Sequence, residues 1–211
     1  MSPISYVEVD EALVDGFSSE EDFTELAVKL GVELGGLVSV VSSVIPINGS
    51  HWPRNEAIIV GLLVRFRKLL HSILDQTCQH RRETTFILAR LAFENLVNIR
   101  YLMMAEDVAL FDSYVIASFR HEERLLDKIE NNIGTRGGEI LPIERRMMAS
   151  IERAFARSGV TRANVTREMM RPWSDTNLFQ RAEAVGWGDN YLGSFAGPSH
   201  SVHGLCFNVL D

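Results

Sequence analysis

Between Phe86 and Met104 the chain leaves almost no room for a solvent face. Read as a helix at about 100° per residue, Ile87, Leu88, Leu91, Phe93, Leu96, Val97, Ile99, Leu102 and Met103 spread around most of the circumference, which is how a buried helix reads. The exception is narrow. Arg90, Glu94, Asn98 and Tyr101 fall within about 80° of one another and form a single polar stripe. An arginine and a carboxylate are therefore expected inside the protein, where desolvation makes even a paired charge costly. With Arg preceding Glu at i, i+4, the pair also has the less favourable orientation for supporting its own helix. Two readings stay open. Either the stripe is a buried lock, with Asn98 and Tyr101 bonded to neighbouring helix ends, or it faces a ligand. In the second, Arg90 clamps a phosphate or carboxylate with its fork of donors and Glu94 orients a partner histidine.

The surrounding sequence reads as helices. An acidic, weakly patterned arm covers residues 1–18, and residues 19–211 are expected to form a single helical-bundle domain. Ser18 or Ser19, followed by Glu20, Glu21 and Asp22, predicts an N-cap opening a helix towards Ile45. Its stretch from Val32 to Ile47 is the most hydrophobic run. Lys29, Glu33, Gly35, Gly36 and Pro46 interrupt it, so it is read as a buried core helix rather than a membrane segment. Gly31-x3-Gly35 is read as a place of close helix approach. After the break at Pro46–Pro53, Ile58, Ile59, Leu62, Leu63, Phe66, Leu69, Leu70, Ile73 and Leu74 carry a second long helix to about His80. A fourth helix is expected from about Val108 to Ile133, stopped by Gly134 and Gly137-Gly138, and shorter helices follow at 141–158, after Thr161 and before Val185. Gly186–Gly197 reads as an irregular, glycine-spaced segment anchored by Trp187, Tyr191 and Phe195. No series of alternating strands occurs. The expected class is all-α, a long-helix bundle with a smaller helical insertion around 137–186.

A second constellation lies at Gly197-Pro198-Ser199-His200-Ser201-Val202-His203-Gly204. Pro198 suits a first helical turn, which would put Ser199 beside unsatisfied backbone N–H groups and set Ser199 and His203 on one face. His203 titrates in the range needed for proton transfer, and Ser199 can bond a phosphate oxygen or the imidazole. The plainer alternative is a capping serine and a histidine bonded between helices. A Ser-His-acid hydrolase lacks its Gly-x-Ser-x-Gly turn here.

Charge narrows the classes further. The formal net charge of −7 is concentrated in residues 1–25, which hold eight acids and no Lys or Arg; the remainder balances 20 acids against 21 bases. Overall acidity is thus no argument against an anionic ligand. Residues 65–100 and 144–171 lean basic, which in helical proteins is usually a solvated face. Cys78 and Cys206 are the two thiols, with no CxxC pair, and the first residues lack a basic region followed by an apolar run, so reduced thiols and a cytoplasmic location are expected. No HExxH, paired ExxH or Cys/His cluster points to a metal, and neither nucleotide-binding glycine motif occurs, so no metal and no cofactor are expected.

Arg90-x3-Glu94-x3-Asn98-x2-Tyr101-Leu102, with Phe66-Arg67-Lys68 upstream and Ser199-x2-Val202-His203-Gly204 downstream, resembles a widespread bacterial family of all-helical proteins of unknown function. Its members resemble HEPN-type helical bundles, many of which are metal-independent ribonucleases or toxin and defence components, often dimeric. The resemblance covers about 55–205. It implies that Arg90, Glu94, Ser199 and His203 converge in one pocket, and with it are expected a phosphate-bearing ligand such as RNA or a nucleotide and a homodimer, while the interrupted apolar run argues for no membrane partner. Catalysis would then fall to Arg90, Glu94 and His203, with Asn98, Tyr101 and Ser199 binding ligand. One feature departs from the pattern. HEPN ribonucleases carry Arg, four to six residues, then His on one helix, whereas Arg65-x5-His71 separates the two side chains by about 120°. The competing reading is a non-catalytic interaction or scaffold module whose polar motifs are interhelical locks.

Overall fold

The computed structural model describes residues 6–43, 52–105, 107–167 and 172–196. These are helical with no strand among them, and they divide into two compact units, Ala105–Asn177 and the remainder. Of the expected insertion at 137–186, residues 137–177 belong to the first of these and residues 178–186 to the second.

The larger unit begins with α1 (Glu11–Asp15), capped by the Asp10 carboxylate accepting from the Leu13 N–H at 2.7 Å. Next comes α2 (Glu20–Ser43). Its start is a reciprocal cap, in which the Asp22 carboxylate accepts from the Ser19 N–H at 2.9 Å while the Asp22 N–H donates to the Ser19 hydroxyl at 3.3 Å. The N–H and hydroxyl groups of Ser18 and Ser19, led by the Ser18 N–H, hold the Asp22 carboxyl below its ordinary range. Antiparallel helices α3 (Arg54–Cys78) and α4 (Arg82–Met104) form the heart of the unit, with α2 laid on α3. His80, in the left-handed region at φ 56°, turns the chain between them. Val38, Phe66 and Ala92 make one buried cluster, filled out by Leu63, Leu69, Leu70, Ile73 and Leu96.

Helix α2 departs from the expectation that it is buried. Only Gly31 and Val38 are enclosed, whereas Phe23, Leu30, Val32, Leu34, Leu37 and Val41 are exposed. The glycines do permit close approach, since a Cβ on Gly31 would stand 3.0 Å from a Leu74 methyl and one on Gly35 3.7 Å from a Leu70 methyl. That approach serves one stripe of the helix. By length and composition α2 is also apolar enough to cross a membrane. The Pro-Asn-Gly break expected after it lies largely outside the described residues.

Three further elements return to α4: α9 (Leu178–Ala184), α10 (Gly188–Tyr191) and a π-helical turn at Leu192–Ala196. Trp187, Tyr191 and Phe195 anchor the glycine-spaced segment, as the sequence suggested, and with Leu178 they pack on a second buried cluster of Phe93, Val97 and Ala182.

In the smaller unit the single helix expected over Val108–Ile133 is two, α5 (Val108–Ser118) and α6 (Arg120–Thr135). The Ser118 hydroxyl donates back to the Val115 carbonyl at 2.7 Å, and Phe119 leaves the helical path to stack on Phe155 with centroids 4.5 Å apart. Helix α7 (Pro142–Ser158) ends at Gly159, which adopts φ 71° as a left-handed cap, and α8 (Arg162–Arg167) follows. Arg162 gathers three carboxylates of α6, bonding Glu123 at 2.8 Å, Asp127 at 2.7 Å and Glu130 at 2.6 Å. The start of α7 depends on Glu144, buried, which accepts from the Leu141 N–H at 3.0 Å and pairs with Arg136.

Arg136 first, and the Leu141 N–H second, hold the Glu144 carboxyl below its ordinary value of 4.5. Its folded-state value lies below the unfolded one, so the contribution to stability is complete well above about pH 4.5 and is lost as pH falls through the lower, folded value. Glu144→Gln should lower the melting temperature near neutral pH, and the gap to the parent protein should close progressively under acid conditions. A gap that stays constant down to about pH 3 would assign the effect to something other than this charge.

Candidate functional site

Helix α4 is enclosed on two flanks, and its polar residues divide between them. Ala92, Asn95, Ile99 and Leu102 are buried on one side, where the Asn95 amide donates to the Leu62 carbonyl of α3 at 2.9 Å. On the other side Phe93 and Val97 meet the α9–α10 segment, and the stripe of Arg90, Glu94, Asn98 and Tyr101 runs beside them. Asn98 is buried; Arg90, Glu94 and Tyr101 are half-buried.

The Arg90 guanidinium carbon lies 4.4 Å from the centroid of the Phe195 ring. This is a cation–π seat, strengthened by the partial exclusion of water. Phe195 is held in turn by Tyr191, stacked at 5.1 Å, and Tyr191 meets Phe179 edge-on at 5.1 Å and Phe93 at 6.4 Å. Arg90 Nε is buried and has no hydrogen-bond partner among the described residues; the same holds for Asn98 Oδ1. Such atoms mark hydrogen-bonding capacity that the described residues do not use. Beside the stripe, on the Phe93 side of the helix, the exposed Arg100 lies 4.9 Å from the Trp187 ring, fastening the segment a second time.

Arg181 on α9 is the component that sequence reasoning missed. It is buried, and burial pushes its guanidinium below the ordinary range, while Glu94 and then Tyr101 act in the opposite direction. The Glu94 carboxylate thus lies close enough to act on an arginine some ninety positions away in the chain. A signal for this existed. Leu178, Ala182 and Val185 define the inward face of the last stretch before the glycine-spaced segment, and Arg181 falls only about 40° from Val185 on the same wheel. Asn95, too, was passed over, although it sits on the apolar side of α4.

The structure therefore brings Arg90, Glu94, Asn98 and Tyr101 to one flank, as the stripe predicted, and adds Arg181, Tyr191 and Phe195. Ser199 and His203 lie outside the described residues. Among the described residues no group of three or more His, Cys, Asp or Glu is placed to hold a metal ion. A separate open cleft is lined by Glu20, Glu21 and Glu25 on one wall and His80, Arg81 and Arg82 on another. Its acids and bases nearly balance, and no buried, partnerless polar atom lies in it.

Arg181→Ala should remove a buried cation from beside the half-buried Glu94 and destabilise the protein by about 1 kcal/mol or more, measured by urea unfolding. Adding Glu94→Gln should restore much of the loss; a double variant no better than the single one would show that Arg181 acts through packing alone.

Against known sequences, residues 56–210 match a family model described as Family of unknown function (DUF5677). The chain belongs to that family. No curated protein and no solved structure matches it.

Proposed function

We propose that this DUF5677 member is an HEPN-like helical protein that binds a phosphate-bearing ligand, with RNA the favoured substrate, and cleaves it without a metal. One observation carries the reading: Arg90 is stacked on Phe195, half-sheltered from water, with its buried Nε offered to no acceptor among the described residues. A guanidinium fixed in direction by an aromatic ring, with an Nε donor unused among the described residues, is suited to a phosphate oxygen. Connectivity supports the partnership with the downstream motif. Ser199 follows Phe195 by four residues, so its Cα falls within about 14 Å of that of Phe195 whatever path the chain takes. His203 lies four residues further on.

In this reading the His203 imidazole removes the 2′-hydroxyl proton of RNA and the 2′-oxygen attacks phosphorus. The bond to the 5′-oxygen breaks, that oxygen takes its proton from water, and a 2′,3′-cyclic phosphate remains. Arg90 stabilises the charge gathering on the phosphoryl oxygens, Glu94 orients the site, and Asn98, Tyr101 and Ser199 hold the ligand. A cytoplasmic toxin or defence role of the kind such bundles carry fits this chemistry.

A second reading is favoured by a different observation. The Arg100–Trp187 stack and the electrostatic engagement of Glu94 with Arg181 both fasten short elements to α4, as interhelical locks in a scaffold module would. The two readings separate in one experiment. If the first holds, Arg90→Ala and His203→Ala should each weaken binding of labelled single-stranded RNA at low salt by about tenfold or more, the size of one charge-assisted hydrogen bond, with the melting temperature nearly unchanged. A loss of stability in both variants, with RNA binding and cleavage equal to the parent or absent from it, would establish the lock.

A further inference from the structure

Most of the exposed apolar residues of α2 fall on one line, with Val32 and Val40 outside it. Phe23, Ala27, Leu30, Leu34, Leu37 and Val41 recur at alternating spacings of four and three, all are apolar, and all are exposed. This is the repeat with which one helix seats its side chains between those of another, and it is sustained over about 27 Å of helix. It lies on a different face from Gly31 and Val38, which α3 covers. The surface also precedes the residues matched by the family model, so it belongs to this chain beyond the family's shared region.

We propose that this seam is the dimer interface, occupied by α2 of a second copy running antiparallel. The seam is self-complementary under a two-fold axis at its midpoint: Phe23 meets Val41 of the second copy, Ala27 meets Leu37 and Leu30 meets Leu34, with the bulkier residue of the first two pairs facing the smaller. Charge selects the direction. A parallel pair would crowd Glu20, Glu21, Asp22 and Glu25 of both copies together, whereas the antiparallel pair sets each acidic end against the uncharged stretch from Leu34 to Ser43. A lipid surface is the poorer occupant. Residues 1–28 contain no Lys or Arg, and their carboxylates are repelled by anionic headgroups.

Covalent trapping tests the register. In a background carrying Cys78→Ala and Cys206→Ala, the double variant Phe23→Cys, Val41→Cys should form a disulfide-linked dimer under mild oxidation. Each single variant should stay monomeric on a non-reducing gel. The two positions lie about 27 Å apart along one helix, so the bond cannot form within a chain. Sedimentation of the untouched protein should give twice the chain's mass. Leu34→Glu with Leu37→Glu should give the single mass with an unchanged far-UV circular dichroism spectrum. Efficient cross-linking of the Phe23→Cys single variant would overturn the antiparallel pairing. A single mass for the parent protein at every concentration, or its co-flotation with phosphatidylcholine vesicles, would overturn the second copy as occupant.

Discussion

Helix α4 has no side facing freely into water along its middle, and the larger unit is arranged around that fact. With α3 against one flank and the α9–α10 segment against the other, the polar groups along its buried middle face protein rather than open solvent. Asn95 is answered by the Leu62 carbonyl, Arg90 by the face of Phe195, and Arg100 by Trp187. Glu94 and Arg181 supply opposite charges from two elements that would otherwise meet only through apolar contacts. A helix with the same apolar residues and a solvated polar stripe would impose none of these choices on its neighbours.

The elements that answer α4 are themselves too short to stand alone. Seven residues of α9, four of α10 and a five-residue π-helical turn cannot form the bonds that propagate an isolated helix, so their order comes from docking. Tyr191 and Phe195 supply the docking surface, and they are also the groups that direct Arg90. The aromatic side chains that dock the segment are thus also the ones that orient the candidate Arg90. The smaller unit solves a comparable problem with charge. Arg162 draws three carboxylates of α6 to α8, and Glu144 joins Arg136 to the first turn of α7.

Much of this was legible in residue spacing. The boundaries of α3, α4 and α7, the Ser19–Asp22 cap, the left-handed Gly159 and the three aromatic anchors all follow from local chemistry that a few neighbouring residues specify. Where the reading failed, the deciding contact was distant. The break at Phe119 depends on Phe155, which no window around residue 119 contains. Helix α2 was read as buried because hydrophobicity reports the wish to leave water and not the surface that satisfies it; within one chain only the Gly31–Val38 stripe finds α3. Arg181 was passed over because an arginine near an apolar face more often reaches back to solvent.

By itself the sequence determined that the chain is helical, where most helices begin and end, and that Arg90, Glu94, Asn98 and Tyr101 share one line along a buried helix. Those are consequences of backbone period and local capping, which involve residues three or four positions apart. Only the tertiary structure decided that Arg181 comes near Glu94, and that Arg90 is seated on an aromatic ring with its Nε offered to no acceptor among the described residues. Pairing across some ninety positions is set by which helices pack together, and side-chain periodicity carries no record of that choice.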